Sequence, residues 1–217
     1  TKTKDEVIDE MIYYLKEDYG NPSSLHRMGH NVEKKLEGVR ENISNFLRVD
    51  KEEIYFTSGG TESNNLAIQG ILNKYNRKGK HIISTNIEHP SVLNILKHYE
   101  GLGYEISYLK VDNRGFISLE ELRNTIREDT ILVAIMLVNN EIGSIQSIKE
   151  IKDIISEKNP NALLHVDGVQ AFGKIPIEIK NWGIDTFSFS GHKIHGPKGT
   201  GGIYVNKNVN LDPIVFG

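Results

Sequence analysis

From residue 54 onward, short apolar runs alternate with amphipathic stretches, and this alternation constrains the fold more than any other feature. Ile54-Tyr55-Phe56-Thr57 precedes a helical pattern over residues 61–75, and Ile82-Ile83-Ser84 precedes another over 91–101. Residues 106–111 lead through Asp112-Asn113-Arg114-Gly115 into a helical stretch over 118–127, and residues 131–138 lead into one over 148–157. Further strand-like runs cover residues 163–166, 186–189 and 202–205. Short strands separated by helices of about 10–15 residues predict βαβ units, and hence an α/β fold around a mainly parallel sheet. Ligands of such sheets gather beyond the carboxyl ends of the strands, so the residues after each apolar run are the ones to inspect.

Two segments precede this pattern. Val7, Ile8, Met11, Ile12 and Leu15 recur at helical spacing over residues 7–16, as do Val32, Leu36, Val39, Ile43, Phe46 and Leu47 over 32–47. Gly20-Asn21-Pro22-Ser23-Ser24 between them reads as a loop, because Pro22 disfavours helix just before it. No repeat, low-complexity tract or linker divides the chain, so residues 1–217 are expected to form one domain.

The Thr57-Ser58-Gly59-Gly60-Thr61-Glu62-Ser63-Asn64-Asn65 segment follows a strand and opens a helix. Its glycines allow a tight turn, and the free amides at Gly60 and Thr61, with the Thr61 hydroxyl, suit a phosphate. Alternatively, Thr61 merely caps its helix. Glu88-His89-Pro90-Ser91 follows the next strand. His89 is placed to stack on a flat ligand or exchange protons with it, or is simply a locally bonded loop histidine. Val138-Asn139-Asn140-Glu141-Ile142-Gly143 ends another strand, where Asn140 either offers its amide to a ligand oxygen or shapes the turn. Leu163-Leu164-His165-Val166-Asp167-Gly168-Val169-Gln170 runs an apolar strand straight into a carboxylate. Asp167 there needs a cationic partner, which a protonated ring nitrogen supplies, and Gln170 can reach another polar atom of the same ring. The competing reading is an Asp that caps the following helix. Ser188-Phe189-Ser190-Gly191-His192-Lys193 is the sharpest feature. An amine just past a buried strand is a candidate for Schiff-base chemistry, and Ser190 and His192 flank Lys193 with donors for an anion.

Rival motifs fail on detail. Gly191 and Gly196 have the spacing of a P-loop's glycines, but Pro197 stands where that loop needs its lysine. Gly199-Thr200-Gly201 is too short for a dinucleotide fingerprint and leads into a strand. The pairs His26/His30 and His192/His195 lack a third ligand, so no metal site is expected. A net charge of -3 and a pI near 6.2 argue against nucleic acid as a partner. An apolar share of 38% with 25% charged residues is a soluble globular balance. No apolar run is long enough to cross a bilayer, and no signal-peptide core is evident, so the sequon at Asn42-Ile43-Ser44 carries little weight. Cysteine is absent, which excludes disulfides, cysteine metal sites and a cysteine nucleophile within these residues and fits a reducing cytoplasm.

Taken in order, Gly20 to Ser24, the Thr57 to Asn65 turn, Glu88-His89-Pro90, Asn139 to Gly143, Asp167 with Gln170, and Ser188 to Gly202 resemble the cysteine desulfurases. The resemblance is to the nitrogen-fixation and iron–sulfur-cluster assembly branch of that group, within the class V aminotransferase superfamily. It implies the large domain of the fold type I enzymes that use pyridoxal 5'-phosphate: a three-layer αβα arrangement with a mainly parallel seven-stranded sheet. It further implies that Lys193 is joined covalently to the cofactor, Asp167 pairs with the ring nitrogen, and Gln170 bonds the phenolic oxygen. His89 would stack on the ring and take part in proton transfer. Gly60, Thr61, Ser190 and His192 would hold the phosphate, and Asn140 would sit near the ring oxygen and the substrate carboxylate.

The implied reaction removes sulfur from L-cysteine to give L-alanine and a persulfide on the enzyme. It serves iron–sulfur scaffold or other sulfur-acceptor proteins, in a cytoplasmic homodimer. The loop cysteine, the substrate-carboxylate arginine and a threonine from the second subunit are expected beyond residue 217. The chain is therefore expected to be a fragment that lacks the small domain and cannot complete turnover alone. Two other readings stay open: a non-catalytic scaffold of the same fold, and another class V aminotransferase or lyase such as selenocysteine lyase.

Overall fold

The computed structural model describes residues 1–216. Helices α1 (Asp5–Lys16) and α2 (Arg27–Leu47) come first. They are followed by β1 (Ile54–Thr57), α3 (Gly60–Tyr75), β2 (His81–Thr85), α4 (Pro90–Gly101), β3 (Glu105–Leu109), α5 (Leu119–Thr125) and β4 (Thr130–Met136). The chain continues through α6 (Ile148–Lys158), β5 (Leu163–Asp167), α7 (Ile179–Trp182), β6 (Thr186–Ser190) and β7 (Gly201–Val205). The seven strands form one sheet in the order β1-β7-β6-β5-β4-β2-β3. Pairings from β6 through β3 are parallel, and β7 alone runs antiparallel to both its neighbours. A parallel neighbour needs a crossover helix. β6 and β7 are joined instead by the glycine-rich segment over residues 191–200, which reverses the chain.

Side chains alternate across the sheet with a period of two, and the two layers of helices read that alternation. Leu132 and Ala134 of β4 and Ile82 of β2 pack with Ile68, Ile71 and Leu72 of α3 and Val92, Ile95 and Leu96 of α4. Val133 and Ile135 of β4, with Ile83, Leu164 and Val166, pack with Leu122 of α5 and Ile148, Ile151 and Ile155 of α6. This is the three-layer arrangement. Each such aliphatic side chain contributes about 1.5–3 kcal/mol on full burial.

On β5 and β6 the α3-facing positions break the apolar rule. Leu164, Val166, Phe187 and Phe189 point into the α5/α6-side core, whereas His165, Asp167, Thr186, Ser188 and Ser190 are buried but polar. A polar seam thus runs beneath α3, and it ends at the carboxyl edge of the sheet.

Several boundaries differ from the sequence expectation. β3 and β4 stop at Leu109 and Met136, because Val111 and Val138 form isolated antiparallel bridges to Ile117 and Ile145 instead. α2 starts five residues earlier than its apolar stripe, where the His26 ring accepts from the Gly29 N–H at 3.2 Å. The one-turn α7 has too few apolar positions to show periodicity. α1 exists as expected, yet none of its residues is buried: Ile8, Met11 and Ile12 are 40–43% exposed and Leu15 is 75% exposed. No helix of the described residues is long and apolar enough to cross a membrane.

Candidate active site

A cleft of roughly 580 Å³, including its open mouth, lies at the carboxyl edge of the sheet. Gly60, Thr61, His89, Asn140, Asp167, Gln170, His192 and Lys193 all line it. These eight residues come from five separate loops, so the topology alone brings them together.

β1 delivers the chain to Gly59, whose φ of 151° belongs to glycine. α3 then starts at Gly60 with no side-chain cap, so Thr61 does not cap its helix and the first amides remain open to a ligand. Gly60 presses on Val169: a Cβ there would come within 2.6 Å of Val169 Cγ2. β2 ends in Thr85, and Glu88 folds back under the loop, where its Oε1 accepts from Thr85 Oγ1 (2.8 Å) and the Met136 N–H (3.0 Å). His89 caps α4, with its Nδ1 accepting from the Ser91 N–H at 3.1 Å and lying 2.8 Å from Ser91 Oγ.

Asp167 closes β5. It is 5% exposed, accepts from the Val169 N–H (3.0 Å) and Asn64 Nδ2 (2.7 Å), and has no salt bridge among the described residues. Burial pushes its carboxyl above the usual range, and the hydrogen bonds from Val169 and Asn64 oppose that push. Gly168 must be glycine, because a Cβ would stand 1.8 Å from Phe187 Cζ. Lys193 ends the one-turn 3₁₀ segment Gly191–Lys193 directly after β6. Burial and the Lys193 charge both hold His192 below the ordinary imidazole range, and they lower Lys174 in the same way. Three basic side chains, Lys174, His192 and Lys193, thus stand close together on this side of the cleft.

Three nominated residues are placed less simply. Ser190 is 1% exposed and does not line the cleft; its hydroxyl lies 2.7 Å from His192 Nδ1 and supports that ring from below. Asn140 is exposed at the mouth and donates to Glu141 Oε1 at 2.7 Å, while Asn139 shapes the turn by accepting from the Glu141 and Ile142 amides. Gln170 Oε1 accepts from Lys174 Nζ at 2.8 Å.

The profile of the family described as "Aminotransferase class-V" matches residues 1–217. The chain belongs to the class-V aminotransferases. It is 47% identical over 217 residues to the cysteine desulfurase IscS of Methanosarcina thermophila, covering 100% of this chain and 53% of that protein. Among solved structures, a NifS-like protein superposes with a TM-score of 0.98 at 42% identity, covering 100% of this chain and 60% of the other. SspA in complex with cysteine superposes at 0.95 with 36% identity, covering 100% and 62%. The chain thus spans about half the length of the curated relatives it matches. Enzymes of this family depend on pyridoxal phosphate.

Reading the sequence of this class-V aminotransferase leaves out Ser91, Met136 and Val169, which also line the cleft, and Asn64, Glu88 and His165 behind it. The missed signal is the two-residue polar alternation in β5 and β6. His165-x-Asp167 and Thr186-x-Ser188-x-Ser190 place five polar side chains on one face of an otherwise apolar sheet.

Proposed function

We propose that this chain forms the pyridoxal-phosphate-binding domain of a cysteine desulfurase that takes sulfur from L-cysteine. One observation carries the reading: a buried, ion-unpaired Asp167 and an amine, Lys193, line the same cleft beside an uncapped helix start. The residues fit a flat phosphorylated pyridine aldehyde. Asp167 offers a carboxylate for a protonated ring nitrogen, Lys193 an amine for the aldehyde, and the Gly60 and Thr61 amides with His192 a cradle for the phosphate. When bound, the cofactor supplies an electron sink for bonds broken on the substrate.

The protein's own groups do the rest. Asp167 would hold a proton on the ring nitrogen, Lys193 would anchor the aldehyde through its amine, and His89 would lie against the ring as a group for proton transfer. Gln170 and Asn140 are placed for the phenolic oxygen and the substrate carboxylate. A thiolate then attacks the substrate sulfur. The S–S bond forms as the C–S bond breaks, and the electron pair stays with the carbon fragment, which takes up a proton and leaves as alanine. With no cysteine among the 217 residues, that thiolate comes from outside them.

The names of the relatives and the neighbour solved with cysteine support this substrate. A cytoplasmic homodimer that passes sulfur to iron–sulfur scaffold or other acceptor proteins is part of the same proposal. Borohydride reduction of the full-length protein loaded with pyridoxal phosphate, followed by peptide mass spectrometry, tests it. The expected adduct is on Lys193 and is absent in Lys193→Ala. An unmodified Lys193 in a protein that binds the cofactor overturns the assignment.

A further inference from the structure

Asn64 of α3 is fully buried and stands where the polar seam meets the cleft. Its Nδ2 lies 2.7 Å from Asp167 Oδ2 and 2.8 Å from Ser91 Oγ, and its Oδ1 lies 3.1 Å from His165 Nε2. A carboxylate accepts only, so the amide must turn its NH2 toward Asp167 and Ser91 and its oxygen toward His165. His165 Nε2 must then carry the hydrogen, and its Nδ1, 2.9 Å from Thr186 Oγ1, accepts from that hydroxyl. Burial drives the His165 pKa down to about 3, so the ring stays a neutral donor of fixed direction.

The other branch is equally constrained. Ser91 Oγ receives one Asn64 hydrogen and turns its own toward His89 Nδ1 at 2.8 Å. The Ser91 N–H points at the same nitrogen from 3.1 Å, and a hydrogen on Nδ1 would oppose it. Nδ1 is therefore an acceptor, and the neutral His89 ring carries its hydrogen on Nε2.

We propose that Asn64 is a positioning residue that sets both the direction of the Asp167 carboxylate and the tautomer of His89, with His165 as its anchor. One amide thereby couples two groups that the reading above places on the same cofactor. In the neutral ring, His89 presents an N–H to the cleft rather than a lone pair, so Nε2 is placed to donate a hydrogen bond there while Nδ1 is occupied by Ser91. The hydrogen-bond assignment stands on the protein alone; only its consequence for pyridoxal phosphate rests on the proposed function.

The test is long-range 1H–15N correlation on the full-length apo protein labelled with 15N-histidine, with His89 and His165 assigned by single substitutions. The expected result is one neutral tautomer for each ring, protonated at Nε2 and unprotonated at Nδ1. A hydrogen on Nδ1 of either ring, or an averaged mixture at His89, overturns the proposal. In Asn64→Leu, the His89 signals should move toward an averaged mixture, and affinity for pyridoxal phosphate should fall by roughly ten- to a hundredfold, as expected for a lost charge-assisted hydrogen bond. His165→Gln keeps a donor toward Asn64 Oδ1 and should retain most of that affinity, whereas His165→Leu should lose it. Equal affinities in the two His165 variants overturn the anchor role. If a substituted protein does not fold, the wild-type spectrum still decides. Correct tautomers in a wild-type protein that ignores pyridoxal phosphate would overturn the proposed function and leave the network standing.

Discussion

Glu88 offers the sharpest test of how the protein manages charge beneath the cleft. The side chain is 4% exposed, and while Oε1 takes two hydrogen bonds, Oε2 has no partner among the described residues. Burial raises its pKa from 4.5 to about 8, with the Asp167 charge adding to the rise and the bonds from Met136 and Thr85 opposing it. Between those two values the folded protein keeps a proton that the unfolded chain has released. Stability from this group is therefore fully present below about pH 4.5, falls as pH rises, and is lost above about pH 8. At about 1.4 kcal/mol per pH unit, the full swing is roughly 5 kcal/mol, an upper limit because water entry and local shifts relieve part of it.

Glu88→Gln removes the titration but keeps the accepting oxygen, and its NH2 replaces an unpartnered O–H. At pH 5 the variant should lie within about 1 kcal/mol of wild type. At pH 9 it should be the more stable of the two by several kcal/mol, on the order of 3–5. Urea denaturation of the full-length apo protein from pH 5 to 9, followed by far-UV circular dichroism, measures the difference. Titrating groups that are not coupled to Glu88 cancel in it; Asp167, which is coupled, does not. A gap between the two proteins that stays constant over this range would refute the reasoning.

Three further expectations follow from single contacts. Gly168→Ala forces a Cβ to within 1.8 Å of Phe187 Cζ, so it should destabilise the fold by about 1–3 kcal/mol, with Phe187→Leu restoring part of that in a thermal-melt comparison. Glu53 is 1% exposed and accepts from Lys180 Nζ at 2.6 and 2.7 Å and from the Lys207 N–H at 2.9 Å, so Glu53→Ala should cost about 3–5 kcal/mol in urea denaturation. Asp167→Asn should weaken pyridoxal phosphate binding by roughly ten- to a hundredfold in a fluorescence titration. It should also move the Glu88 titration to lower pH, because it deletes a charge that raises that pKa.

The sheet was legible because its strands are read from both sides. β4 carries apolar residues at every position after Thr130, as a strand covered by helices on two faces must, and β2 is buried along its whole length around Ile82 and Ile83. The limits of β3 and β4 were not legible, since Val111 and Val138 look like strand and differ only in leaving the ladder for single bridges. Nor does periodicity say what a stripe packs on. The patterns of α1 and α2 are alike, yet Leu47 is fully buried and Leu15 is not.

The residues that meet the cleft were legible for a different reason: chain order places them after strands, where a parallel sheet must put its ligands. Asn64, Glu88 and His165 escape that rule because their meaning lies in contacts between distant parts of the chain. His165 Nε2 and Asn64 Oδ1 are 101 residues apart. Buried polar groups cost stability unless every donor and acceptor is matched, and apolar replacements of similar shape would be neutral or better. The α5/α6 side of the same strands is built that way, with Leu164, Val166, Phe187 and Phe189. The polar seam is confined to the face beneath α3 and ends at the one buried carboxylate that lines the cleft. A fold that needed only a stable core would gain nothing by that asymmetry. A fold that must hold Asp167 and His89 in fixed directions gains a rigid set of donors whose orientations determine one another.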